Sequence, residues 1–237
     1  MKLIKILVTT IITIMATLCG TMAQTYQCPH CGTMLNLALV ASQPVAVPVQ
    51  DVVLVVGDSI SALGQPVASP RTTWPQSMHT VSSNWSNAIV KNYAVSGLRT
   101  TEALTNLTTI LENNKLKPGQ KGYVFVWLGI NDFPDTGVTY NNLKAIWCQA
   151  RSNGFKVAAF TITRGGGFTP ENGWYQKWDA LNNQILSDPS LYDALCRPDK
   201  LFPVPVDPAY FLDGIHPTPL GAQMIAKWTA TNMEGHW

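Results

Sequence analysis

The period of hydrophobic and polar positions changes several times along the chain, and each change marks an element. Val52–Val56 is apolar at every position, as a strand buried on both faces must be. Trp74 to Val81 reads as a helix, with Pro75 in its first turn. Ala88–Val95 fits a second strand. Thr101 to Asn114 is amphipathic, with Leu104, Leu107, Ile110 and Leu111 on one face and Thr100 or Thr101 as its cap. Tyr123–Leu128 is a third strand. Tyr140 to Ser152 is a helix closed by Asn153-Gly154. Lys156–Thr163 is a fourth strand, Trp174 to Leu186 a helix, Leu201–Val204 a short fifth strand, and Pro219 to Thr231 the closing helix. Strands and helices in strict alternation predict a parallel five-stranded sheet covered by helices on both faces.

The first residues follow a different pattern. Lys2 and Lys5 precede an apolar stretch, Ile6 to Leu18, and Thr21-Met22-Ala23 offers small residues where a leader is cut. The expected organisation is therefore a signal peptide over 1–23, an N-terminal extension over 24–50 that ends in a Pro-punctuated linker, and one domain over 51–237. The expected location is secreted or periplasmic. Loss of Lys2 and Lys5 removes the formal charge of +2. A chain near neutrality with no basic block is a poor partner for nucleic acid or anionic membrane surfaces.

Export makes disulfides an expectation for Cys28, Cys31, Cys148 and Cys196, which can pair in three ways. Helices around 140–152 and 174–195 on one face would bring Cys148 and Cys196 together as one candidate bridge. Cys28-Pro29-His30-Cys31 has the spacing of a redox motif or of half a zinc site. Such a redox site needs its own flanking strand and helix, and a zinc site needs two more ligands. A local disulfide or a loose appendage is the simpler reading of this segment.

Ligands of open parallel sheets bind beyond the carboxyl ends of the strands, and there the polar residues of this chain gather. Gly57-Asp58-Ser59 follows the first strand, Gly97 the second and Gly129-Ile130-Asn131-Asp132 the third. Asp213-Gly214-Ile215-His216-Pro217 follows the fifth, just before the closing helix. Each block alone is as consistent with a turn or a helix cap. Together they supply a nucleophile (Ser59), a base (His216), a group to orient the base (Asp213), and oxyanion donors in the N–H of Ser59, the N–H of Gly97 and the side-chain amide of Asn131. Asp58 and Asp132 are expected to brace loops. His30, His79 and His236 stand apart from this set. Gly165-Gly166-Gly167 lacks the lysine of a phosphate loop and reads as a wall of the cleft. Trp127 and Trp147 suit the core, and Trp174 and Trp178 are candidates for the cleft.

These four blocks, with Trp74-Pro75, resemble those of the SGNH or GDSL hydrolases, from about Val52 to the closing helix. The resemblance implies a three-layer α/β/α sandwich with flavodoxin-like strand order. It also implies a serine esterase that needs no metal or cofactor. Its substrates would be small-molecule or glycan esters of short acyl groups. Longer acyl chains, as for a lysophospholipase or thioesterase, and acyl transfer to a carbohydrate are the alternatives. Two departures stand out: Leu63 occupies a position where members often carry Gly, with Gly64 following, and the Cys-Pro-His-Cys extension has no counterpart in the family pattern.

Overall fold

The computed structural model describes residues 23–27, 34–38, 49–62, 73–83, 85–133, 135–164, 173–202 and 207–236. The chain divides into two compact units, Met1–Pro48 and Val49–Trp237. In the first, β1 (Ala23–Gln27) pairs antiparallel with β2 (Met34–Ala38), from Ala23 opposite Ala38 to Gln27 opposite Met34. Cys28, His30 and Cys31, and the linker to Pro48, lie outside the described residues.

The second unit is built on five parallel strands: β3 (Val52–Gly57), β4 (Ile89–Asn92), β5 (Gly122–Trp127), β6 (Lys156–Phe160) and β7 (Ala194–Cys196). Their order is β4-β3-β5-β6-β7, the flavodoxin-like order expected. Every residue of β3 and β5 is buried, because both faces carry helices.

On one face lie α1 (Trp74–Val81) and α6 (Pro219–Asn232), which pack together. On the other, α2 (Thr100–Glu112), α3 (Thr136–Ser152) and α4 (Gly173–Ser187) follow in sequence. The handedness of the crossovers gives this division: β3 to β4 moves one way across the sheet, and β4 to β5, β6 and β7 moves the other. Phe125 of β5 stacks with Trp74 at 6.3 Å between ring centroids, and Trp127, two residues on, meets it tilted at 6.0 Å. Phe160 of β6 lies 5.4 Å from Trp74 and 5.2 Å from Trp127. Trp127 and Trp147 are core residues, as expected.

Three expectations need correction. The fifth strand is Ala194–Cys196, not Leu201–Val204. Pro198–Leu201 forms a short helix, α5, whose opening proline has its φ preset for a first turn. Pro203 has no N–H for a sheet ladder, and residues 203–206 lie outside the described residues. The true strand is only three residues long, too short to show a period.

The cysteine pairing changes with it. Cys148 and Cys196 are both free. Cys148 is exposed on α3, whereas Cys196 is buried on β7, which packs against α6. The sheet separates α3 from α6.

The third correction concerns α2. Thr100 is its first residue and Arg99 its cap position, so neither Thr100 nor Thr101 caps it. Its first N–H groups are met by Glu102, which accepts from Arg99 N at 3.2 Å, and by Asp132 from a distant loop.

Candidate active site

Ser59 lies one residue beyond Asp58 at the carboxyl end of the central strand β3. The main chain turns back at once, because Asp58 O accepts from Ser61 N at 3.1 Å and from Ala62 N at 2.9 Å. Gly57 makes this turn possible: a Cβ there would stand 2.8 Å from Ser61 Cβ. Ser61 is buried, accepts from Trp74 Nε1 at 2.9 Å, and receives Asn92 Nδ2 on its carbonyl at 2.7 Å. The Trp74-Pro75 motif therefore braces the serine loop from α1.

Asp58 is fully buried beside Ser59 and accepts from Ile60 N at 3.0 Å. Burial, reinforced by the Asp132 charge, pushes its carboxyl up to about 7 although the Ile60 hydrogen bond opposes this.

Asp213 and His216 stand on a loop tied at its base by Thr218 N donating to Tyr210 O at 2.8 Å and Leu212 N to His216 O at 2.9 Å. This loop leads into α6, so the two residues do not directly follow the fifth strand as expected. Gly214, at φ +80°, allows the tight turn between them. Asp213 Oδ1 accepts from Ile215 N at 3.0 Å and His216 N at 2.8 Å, and Oδ2 lies 2.7 Å from His216 Nδ1. Burial acts to raise the Asp213 carboxyl, but the hydrogen bonds from the His216 ring and from the two backbone N–H groups outweigh it and hold it at about 2. An ionised Asp213 keeps the proton on Nδ1, so that Nε2 is the acceptor. That Nε2 lies 2.9 Å from Ser59 Oγ.

Gly97 follows β4 and Asn131 follows β5, the strands on either side of β3. Asn131 reaches across the end of β3: its Nδ2 donates to Leu98 O at 3.2 Å. One proton of the amide is so used, and the amide carries a second. Gly97 has φ +77°, and among the described residues nothing lies within 4 Å of where a Cβ would stand. Among the described residues, neither Ser59 N–H nor Gly97 N–H donates to another group. The N–H of Ser59, the N–H of Gly97 and the amide of Asn131 thus lie beyond the ends of three adjacent strands.

Residues 55–224 match the model of the GDSL-like Lipase/Acylhydrolase family. The chain belongs to the GDSL-like lipase/acylhydrolase family. It is accordingly a carboxylic ester hydrolase. Solved structures share the fold of this GDSL-like hydrolase. TesA is 22% identical with a TM-score of 0.63, covering 78% of this chain and 98% of its own. The psychrotrophic esterase EstA from Pseudoalteromonas sp. is 18% identical with a TM-score of 0.61, covering 78% and 97%. Axe2, an acetylxylan esterase from Geobacillus stearothermophilus, is 14% identical with a TM-score of 0.62, covering 77% and 94%. No curated protein sequence matches the chain.

The other candidates of the GDSL-like domain separate from this site or frame it. His79 Nδ1 lies 3.0 Å from Trp85 O, a tie between α1 and the turn that follows. Trp178 donates to Ile162 O at 2.7 Å, and Trp174 is exposed with its ring 5.7 Å from Phe133, two residues after Asn131. Leu63, Gly64 and Gly165 to Gly167 lie outside the described residues. Among the described residues no group of three or more His, Cys, Asp or Glu is placed to hold a metal, and no helix is long and apolar enough to cross a membrane. What sequence reasoning missed is the supporting set of Ser61, Asn92 and Thr100. Their signal is weak, since small polar residues near strand ends are common.

Proposed function

We propose that the enzyme cleaves short acyl esters, such as O-acetyl groups on glycans, through Ser59, His216 and Asp213. The observation that carries this reading is the unbroken relay from Ser59 Oγ through the His216 ring to Asp213, at 2.9 and 2.7 Å. Ser59 Oγ attacks the acyl carbon as His216 Nε2 takes its proton. Asp213 stabilises the resulting imidazolium. The charge on the acyl oxygen falls to the N–H of Ser59, the N–H of Gly97 and the amide of Asn131, each worth about 3 kcal/mol of barrier. His216 then returns the proton to the leaving alcohol, and water repeats the sequence on the acyl-enzyme.

Two observations support a bulky alcohol part with a small acyl group. Val95 to Gly97 and Leu212 to Asp213 are exposed, so the rim of the triad is open on two sides. Axe2, which shares the fold, is named for acetylxylan. The N-terminal charge and apolar pattern supports export, with 1–23 as leader and 24–50 as an extension before the catalytic domain.

A chain-length series of p-nitrophenyl esters, with acetylated polysaccharides alongside, tests the reading on wild type and Ser59→Ala. Acetyl is expected to be preferred and Ser59→Ala to be inactive. Preference for octanoyl overturns the substrate, an acylated sugar as main product overturns hydrolysis, and an active Ser59→Ala overturns the nucleophile.

A further inference from the structure

The loop with Asn131 grips the loop with Gly97 at two points. Asn131 holds Leu98 O. Its neighbour Asp132 accepts from Thr100 N at 3.0 and 3.1 Å and from Thr100 Oγ1 at 2.5 Å. Leu98 and Thr100 are the first and third residues after Gly97, so the two contacts fix both the distance and the tilt of that segment.

The Thr100 hydroxyl is set in direction. Its oxygen accepts from Asn142 Nδ2 of α3 at 3.1 Å, so its own proton points at Asp132. Thr100 is fully buried, which keeps water from competing. An ordinary helix cap comes from the residue just before the helix. Here the cap comes from 32 residues away, on the turn that carries Asn131.

We infer that Asp132 is a positioning residue, which clamps the start of α2 so that Gly97 N–H and the Asn131 amide stand at their working separation. The inference rests on reading Gly97 and Asn131 as oxyanion donors. A carboxylate suits the task because one group must accept from two donors on Thr100 at once. An error of 1 Å between oxyanion donors weakens both in the transition state and leaves the ground state nearly as before.

The test is a set of kcat and KM values on p-nitrophenyl acetate, with thermal melts, for Asn131→Ala, Asp132→Ala, Asp132→Asn, Thr100→Val and the Asn131→Ala/Asp132→Ala double variant. Asp132→Ala is expected to lower kcat by about 10- to 100-fold with KM within about threefold. Asp132→Asn, whose amide oxygen still accepts from Thr100 N, recovers part of the loss. The double variant loses less than the product of the single losses, because the second change displaces a donor already removed. A kcat at the wild-type level in Asp132→Ala, whatever its melting temperature, overturns the inference, and so do single losses that multiply. If Asp132→Ala does not fold, an unchanged kcat in Thr100→Val overturns it instead. Full kcat in Asn131→Ala is a different failure: it removes the oxyanion reading itself, and this inference with it.

Discussion

His216 Nε2 lies 2.9 Å from Ser59 Oγ although 157 positions separate the two residues in sequence. The contact closes because α6, which follows His216, packs on α1, which follows Ser59. Both helices lie on one face of the sheet, and their preceding loops meet at the end of β3.

Asp213 is held at about 2 and is therefore ionised throughout the working range. The stability it contributes is present above the ordinary carboxylate range and is lost as pH falls toward 2. Asp213→Asn keeps the shape but no longer stabilises the imidazolium, and it permits the wrong tautomer. It is expected to lower kcat by roughly 10³- to 10⁴-fold at neutral pH. Steady-state kinetics within tenfold of wild type would exclude Asp213 from the relay.

Asp58 makes the opposite prediction. Its pKa is raised from 3.8 to about 7, so the native state holds a proton that the unfolded state gives up near pH 4. Stability from this group is complete below pH 4 and declines as pH rises toward 7, by roughly 4 kcal/mol at pH 8. Asp58→Asn keeps an acceptor for Ile60 N and has no proton to lose. Thermal melts are expected to show the variant gaining on wild type from pH 5 to 8. Parallel curves over that range would contradict a buried neutral Asp58.

Gly221 underlies the loop that carries Asp213 and His216. A Cβ there would stand 2.2 Å from Tyr210 O, the carbonyl that closes the base of the loop with Thr218 N. The backbone must move to admit it. Gly221→Ala is expected to lose about 1–3 kcal/mol of stability in denaturant melts. It should also slow turnover, since the displaced segment carries His216. Gly173→Ala is the control, because among the described residues nothing lies within 4 Å of its Cβ position.

The two cysteines of the catalytic domain should differ in reactivity. Cys148 is exposed, while Cys196 is buried and burial pushes its thiol well above the ordinary range. Maleimide labelling mapped by mass spectrometry is expected to modify Cys148 in the native protein and Cys196 only after unfolding. A disulfide-linked peptide joining the two would refute the separation by the sheet.

Much of the fold was legible because burial imposes a period. The apolar run at Val52–Val56, the stripe through Leu104, Leu107 and Leu111, and the turn at Asn153-Gly154 each mark an element within a few residues. The strand Ala194–Cys196 was not legible, for three residues carry no pattern. Its misplacement also misassigned Cys196, since alternation along the true strand turns the thiol toward α6.

The sequence by itself determined whatever depends on near neighbours: the alternation of strands and helices, and the turn that puts Asp213 and His216 within one hydrogen bond of each other. Tertiary structure alone decided which of these local pieces touch. Strand order laid the ends of β4, β3 and β5 side by side, so that Asn131 could reach Leu98 and Asp132 could cap a helix begun 32 residues earlier. Contacts of that kind depend on how crossovers stack across a sheet, and a single residue's type carries no record of its partner.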